Sequence, residues 1–150
     1  MTDPATFASS SVRHALPFLF AGQAQKEFTV NEALARLDQL LVPAIVGEVS
    51  SDPNNPVAGD CYLVTSPSSG AFAGHDGKLA GWDGQQWTFS NPVDGMRIYD
   101  RTDGSSLIYH GDWQRPSAPV APDGGTTVDV ESRDAIAALI TALRVFGVFS

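Results

Sequence analysis

The pattern of apolar and polar positions divides the chain into a helical beginning, a strand-rich middle and a helical end. Near the beginning, leucines recur at the spacing of one helix face, at Leu34, Leu37, Leu40 and Leu41. Thr29 and Glu32 stand just before them, at the spacing of a capping box. We therefore predict an amphipathic helix from Val30 to about Val42, ended by Pro43.

The middle of the chain carries a weak internal repeat of short strands and glycine turns. Residues 56–59 (Pro-Val-Ala-Gly) match residues 92–95 (Pro-Val-Asp-Gly), and an Asp-Gly pair follows in each copy. Each copy then closes with an aromatic residue, a glycine turn and a tryptophan, in residues 82–87 and 109–113. Because Asp-Gly pairs supply the positive φ of tight hairpins, this pattern predicts an antiparallel β-meander, folded as a small barrel or sandwich. Residues 44–49 are predicted as one further strand.

The chain becomes helical again after a stretch that is rich in proline and glycine. Ser132 is placed to cap a helix from Arg133 to Phe146, and Gly147 is placed to end it. We select its apolar positions as a candidate assembly interface: Ile136, Leu139, Ile140, Leu143, Phe146 and, beyond the helix, Phe149. An apolar stripe of this kind packs on its own domain, joins a helix bundle between subunits, or docks on a partner.

These elements predict one domain of class α+β, with a helix at each end of the β-meander. The predicted organisation has four parts: an N-terminal arm at 1–15, a helix plus β-meander domain at 16–115, a linker at 116–131, and a C-terminal assembly helix at 132–150.

Charge and cysteine content narrow the classes of protein. The formal net charge is −8, and the nine Lys and Arg residues are scattered, which argues against a nucleic-acid partner. No basic leader or long apolar run suggests a signal peptide or a membrane span, so we expect synthesis in the cytoplasm and no membrane partner. Cys61 is the single cysteine and falls in a predicted strand, so we expect a buried structural thiol.

The sequence contains no phosphate loop, zinc motif or nucleophile elbow. His75 and His110 stand in the repeat turns, where we expect turn-stabilising hydrogen bonds rather than metal ligation. The aspartates are spread through turns, and a pair of catalytic carboxylates is the weakest interpretation of them. We therefore expect no enzyme activity, no catalytic residues, no metal and no cofactor.

Four aromatic residues of the repeat have two interpretations: Trp82, Trp87, Tyr109 and Trp113. In a small domain, large aromatic side chains usually belong to the core. Exposed on one face of a sheet, the same residues stack on sugar rings, which makes them candidate glycan-binding residues. Trp82 and Trp87 flank one turn, and we expect them to be the most exposed of the four.

Several segments resemble a domain family of unknown function found in prophages and gene-transfer-agent clusters. The resemblance begins in residues 16–38, where 21–27 (Ala-Gly-Gln-Ala-Gln-Lys-Glu) and 31–34 (Asn-Glu-Ala-Leu) are the most distinctive. It continues in three further segments: 59–64 (Gly-Asp-Cys-Tyr-Leu-Val), 74–87, and 95–100 (Gly-Met-Arg-Ile-Tyr-Asp).

Members of that family lie among phage structural genes, and similar proteins form head spikes with a base on the capsid vertex and a fibre that touches capsular polysaccharide. The resemblance therefore implies a virion structural protein, assembled in the bacterial cytoplasm and placed on the particle surface as a spike base. It implies three partners: further copies of this chain, with a pentamer favoured over a trimer, the capsid protein and the spike fibre protein. The alternative role is a carbohydrate-binding module or tail-fibre component that binds cell-surface polysaccharide directly.

Overall fold

A computed structural model describes residues 9–125 and 129–149. The elements in chain order are α1 (Lys26–Leu40), β1 (Ala44–Ile45), β2 (Gly47–Val49), β3 (Cys61–Val64), a 3₁₀ helix (Gly70–Phe72), β4 (Leu79–Trp82), β5 (Trp87–Ser90), β6 (Arg97–Asp100), β7 (Ser105–His110), β8 (Asp112–Gln114) and α2 (Val130–Val145). The predicted α+β class, with a helix at each end, is confirmed. The strands form two four-stranded sheets, which are not closed into a barrel.

Each copy of the internal repeat builds most of one sheet. Sheet one has the order β2-β3-β4-β5, and sheet two has the order β1-β6-β7-β8. The same backbone hydrogen bond recurs in both, because the N–H of Gly59 donates to the Trp82 carbonyl and the N–H of Gly95 donates to the Tyr109 carbonyl, each at 2.8 Å. Gly59 and Gly95 also share a positive φ, 94° and 83°, which glycine adopts without steric cost. The sequence repeat is therefore a structural repeat.

One parallel strand is added to the antiparallel meander of each sheet. The single strand predicted over 44–49 is two strands, because β1 pairs parallel with β6 in sheet two and β2 pairs parallel with β3 in sheet one. The chain changes sheets at Val46, whose N–H donates to the Cys61 carbonyl at 2.8 Å. This short segment consequently joins the two repeats side by side.

The main hydrophobic core lies where sheet one faces sheet two. Its buried members are Ile45, Cys61, Leu63, Leu79, Ile98 and Leu107. Each fully buried Leu or Ile side chain contributes about 1.5–3 kcal/mol to stability. The Cys61 thiol is buried, as predicted, and burial raises its pKa. A second cluster of Val64, Phe72 and Ala80 covers the outer face of sheet one.

Helix α1 begins before the predicted start, and the capping box is wrong. Its N-cap is Gln25, and Thr29 lies inside the helix. Ala24 and Gln25 both adopt left-handed backbone conformations, with φ of 57° and 65°. The Gly22 N–H donates to the Glu27 side chain at 3.2 Å across this turn. A tight backbone turn, rather than a side-chain cap, therefore starts the helix.

The buried face of α1 is polar, although the leucine spacing predicts an apolar one. Leu37 and Leu41 are exposed, whereas Asp38 and Gln39 are buried. Leu40 packs against the main core. Gln39 and Leu40 therefore face the sheets, whereas Asp38 accepts its hydrogen bonds from residues 11–14.

Gln39 occupies a slot on sheet one. Its side-chain carbonyl accepts a hydrogen bond from the Ser90 hydroxyl at 2.9 Å, and its amide lies 3.5 Å from the Cys61 sulfur. A Cβ at Gly81 would lie 3.0 Å from the Gln39 side chain. Glycine at this position therefore makes room for the amide.

Helix α2 also begins earlier than predicted, at Val130, and its N-cap is Asp129 rather than Ser132. The Asp129 carboxylate accepts from the Ser132 N–H at 2.9 Å and from the Ser132 hydroxyl at 2.8 Å. Gly147 follows the helix end with a φ of 65°, as predicted. Among the described residues, neither helix combines the length and apolar character needed to cross a membrane.

Candidate assembly and binding surfaces

The apolar residues selected on α2 divide into an exposed group and a buried group. Four of these residues are exposed, and we call this group the α2 seam: Ile136, Leu139, Leu143 and Phe146. Their spacing of three, four and three residues places them on one side of the helix. Ile140 and Phe149 are buried, with 8% and 5% of their surfaces exposed.

The end of α2 is fastened to sheet two. The Ser106 N–H on β7 donates to the Gly147 carbonyl at 2.7 Å, and a Cβ at Gly147 would lie 3.0 Å from the Tyr99 ring. Phe149 is buried just beyond this contact. The helix is therefore anchored through its C-terminal end, while the α2 seam stays exposed.

The four candidate glycan-binding residues form two pairs at corresponding positions of the two repeats. Trp82 lies directly opposite Trp87, and Tyr109 lies directly opposite Trp113. The ring centroids are 4.9 Å apart in the first pair and 5.2 Å apart in the second.

The structure does not bring the two pairs together. The Trp113 indole N–H donates to the Gly77 carbonyl, five residues before Trp82. Trp113 packs against the main core, whereas Trp87 packs against the second cluster of Val64, Phe72 and Ala80. The predicted set is therefore two separate sites rather than one platform.

One member of each pair packs against a buried cluster. The Trp87 ring meets the ring of buried Phe72 edge-on at 4.9 Å, and Trp113 packs against the main core. A ring that stacks on sugar must present a free face, so these contacts favour a structural role for Trp87 and Trp113. Trp82 and Tyr109 lie over these anchors, and all four residues are half-buried.

Two clefts flank the hairpin of β4 and β5. The first, of about 560 Å³, lies between this hairpin, the C-terminal half of α1 and residues 9–13. The second, of about 830 Å³, lies beside β5 and the N-terminal half of α1. Both volumes are in the range of ligand sites, roughly 300–1,000 Å³.

A buried carboxylate holds part of the predicted N-terminal arm on α1. Asp38 accepts hydrogen bonds from the Ser11 hydroxyl and the His14 N–H at 2.7 Å, and from the Arg13 N–H at 2.8 Å. Burial raises the pKa of Asp38, but these hydrogen bonds outweigh it, so the pKa of the carboxyl lies below its ordinary value. The first part of the arm, residues 1–8, lies outside the described residues.

An ionic cluster that the sequence does not predict joins the two sheets. Arg115 contacts Glu48 of β2 and Asp100 of β6 at 2.7 Å, and Asp103 at 2.6 Å. Burial raises the pKa of Asp100, but the hydrogen bonds from Arg115 and from the Thr102 and Asp103 N–H groups hold it below its ordinary value. Sequence spacing carries no signal for this cluster, since its members come together only when the sheets pack.

The histidines make local contacts. His75 stacks on Phe89 with centroids 3.6 Å apart, and His110 lies 3.1 Å from the Asp94 carboxylate. Among the described residues, no group of three or more His, Cys, Asp or Glu side chains is arranged to hold a metal ion.

This geometry defines an α+β domain built from a duplicated meander, with a helix packed on one sheet and an exposed helix at the end. Residues 30–114 match the family model described as protein of unknown function (DUF2793), and the chain belongs to that family. The matched region runs from within α1 to the end of β8 and leaves α2 outside. No curated protein and no solved structure matches the chain.

Proposed function

We propose that this protein is a virion structural protein, the base of a head spike on a phage-like particle such as a gene transfer agent. The resemblance of residues 21–27, 59–64 and 95–100 to proteins encoded among phage structural genes supports this role. Its partners are further copies of the chain, the capsid protein and a fibre that contacts surface polysaccharide. The mechanism is non-covalent assembly.

The observation that carries this proposal is the α2 seam. Leu139 and Phe146 expose 63% and 81% of their surfaces, on a helix whose only buried residue is Ile140. Monomeric proteins rarely leave a contiguous apolar stripe in water, and an exposed stripe of this kind marks an interaction site. Apolar residues at this spacing pack against the apolar residues of other helices, including the same helix of identical subunits.

A ring of subunits follows from the spike-base role. Closed rings arise from head-to-tail interfaces, and a capsid vertex imposes five-fold symmetry. In such a ring, the duplicated β-domain forms the body, and the α2 helices gather at the axis or hold the fibre. The pentamer is therefore the favoured state and the trimer the alternative.

The test is the mass of the full chain in solution, measured by light scattering over a range of protein concentrations. A pentamer supports the spike base, and a trimer reassigns the protein to a fibre or fibre adaptor. A chain that stays monomeric at high concentration contradicts self-assembly through α2.

The second candidate function is a module that binds polysaccharide directly. The hairpin at 82–87 favours it, because the half-buried Trp82 adjoins the exposed Asp83, Gln85 and Gln86, whose polar groups suit sugar hydroxyls. Titration of the protein with isolated capsular polysaccharide, followed by tryptophan fluorescence, tests this candidate. Binding that disappears in Trp82→Ala supports it, and an absence of binding by the wild type removes it.

A further inference from the structure

A free sheet edge lies beside helix α1. β5 is the last strand of sheet one, and no strand lies beyond it in the part of the chain that the structure describes. At the tip of the hairpin, the Asp83 N–H donates a hydrogen bond to the Gln86 carbonyl at 3.3 Å. The next two residues that lie opposite each other on β4 and β5 are Trp82 and Trp87. Because hydrogen-bonded and non-bonded pairs alternate along antiparallel strands, the backbone groups of Trp87 and Phe89 point away from β4. They are therefore available to another strand.

The cleft of about 830 Å³ runs along this edge, and we call it the edge groove. The N-terminal half of α1 forms the opposite wall, where Phe28 lines the groove with 72% of its surface exposed. Leu19 lies in the remaining wall of the groove, and Asn31 holds it in place. The Asn31 side chain accepts a hydrogen bond from the Leu19 N–H at 2.8 Å and donates one to the Leu19 carbonyl at 3.1 Å. A free strand edge beside an apolar side chain is the arrangement by which proteins bind extended peptides.

The charge of the edge groove is negative. Its lining includes three carboxylates, Glu27, Glu32 and Asp83, against the single guanidinium of Arg36, which leaves a formal charge of −2. Arg36 pairs with Glu32 at 2.6 Å. Glu27 is buried, and its Oε2 has no hydrogen-bond partner among the described residues. In a chain of net charge −8, this groove favours a cationic occupant over an acidic one.

We propose that the edge groove binds an extended segment of a partner protein, with apolar and basic side chains in alternation. The segment pairs its backbone with the free groups of Trp87 and Phe89. Its apolar side chains contact Phe28, and its basic side chains face the carboxylates of the groove. Backbone pairing supplies affinity, and the alternating side chains supply specificity.

The test uses the full chain and a fluorescein-labelled peptide of about ten residues, long enough to cover one strand, that alternates valine and lysine. Binding is measured by fluorescence anisotropy. The matched control is the same peptide N-methylated at alternate residues, which keeps every side chain and charge but blocks backbone donors. We expect the methylated peptide to bind about tenfold more weakly or worse. A peptide alternating valine and glutamate should bind more weakly still.

Two protein variants locate the site. Phe28→Ala should weaken binding of the valine–lysine peptide several-fold without unfolding the protein, because Phe28 is exposed. The matched control is Val145→Ala, because Val145 is an apolar residue with 82% of its surface exposed that lies outside both the edge groove and the α2 seam, and binding should be unchanged.

Three results overturn the proposal. Equal binding of the methylated peptide means that no strand is added, and equal binding of the glutamate peptide contradicts a basic partner. If Phe28→Ala instead lowers the solution mass of the protein, the groove is occupied by a second copy of this chain. These outcomes are separate from the spike-base proposal, which concerns the α2 seam.

Discussion

The indole N–H of Trp113 donates a hydrogen bond to the backbone carbonyl of Gly77 at 2.8 Å. This bond joins the last strand of the second repeat to the turn that precedes β4 in the first repeat. Because Trp113 also packs against the main core, one side chain couples the two sheets by both contact and hydrogen bonding. The two repeats are thus parts of one folding unit.

Replacing Trp113 with Phe should lower the free energy of unfolding by about 1–3 kcal/mol, because the aromatic ring remains but the Gly77 carbonyl loses its donor. Urea denaturation followed by circular dichroism measures the change. Trp82→Phe is the control, since Trp82 lies over its neighbour at a hairpin tip, and it should change stability by less. Equal losses in both variants would show that ring size, rather than the hydrogen bond, matters at Trp113.

Trp87→Ala should destabilise the fold by about 2–3 kcal/mol, because it uncovers the buried Phe72 ring in the outer cluster, while the half-buried position of Trp87 keeps the loss below that of a fully buried tryptophan. Trp82→Ala should cost clearly less, since Trp82 contacts this cluster through Trp87. Thermal unfolding of both variants provides the comparison. If Trp82→Ala unfolds the protein as readily, Trp82 is structural and the sugar-stacking role is lost.

Arg115→Leu should destabilise the protein by about 2 kcal/mol, because Asp100 keeps only 6% of its side-chain surface exposed and loses its cation. The partial exposure of Arg115 keeps this value below that of a fully buried pair. Arg97→Leu, on the exposed side of β6, is the control and should lie within about 0.5 kcal/mol of the wild type. Chemical denaturation at low and high salt should show the Arg115 effect shrinking as salt rises.

Asp38→Asn should make the stability of the protein less sensitive to acid. The folded-state pKa of Asp38 lies below its ordinary value of 3.8, so its carboxylate stabilises the fold above that pH and loses this effect as pH falls through the folded-state pKa. The stability difference between wild type and variant should therefore be largest near neutral pH and shrink below about pH 4. Urea midpoints measured across this range test it, and a difference that grows on acidification would contradict the assigned role.

Leu139→Glu should convert an assembled protein to monomers, because it places a charge in the middle of the α2 seam. Val145→Glu is the matched control, since Val145 has 82% of its surface exposed and lies on another side of the same helix. Light scattering at equal protein concentration gives the masses, and circular dichroism checks the helix. If both variants stay assembled, the contact between subunits lies elsewhere.

Features encoded by neighbouring residues could be predicted from the sequence. Asp103-Gly104 predicted the tight turn between β6 and β7, because such a turn depends on a few residues with positive φ. Gly147 predicted the end of α2 for the same reason. The matching pair Asp76-Gly77 was wrongly predicted as a tight hairpin, because it ends a long connection between β3 and β4 that contains the 3₁₀ helix. The leucine spacing predicted the presence of α1, but the capping-box start was wrong, because the left-handed turn at Ala24 and Gln25 has no simple sequence signal.

Only the tertiary structure decided which surfaces are buried. It showed that α1 packs through Asp38 and Gln39 rather than through Leu37, and that residues 44–49 divide between two sheets. It also separated the aromatic residues into core anchors and outer rings, and left the α2 seam exposed. By itself, the sequence determined the helices, the turns and the duplicated meander, because these follow from local conformation. Strand partners, ionic clusters and grooves follow from contacts between residues far apart in the chain, which local patterns do not encode.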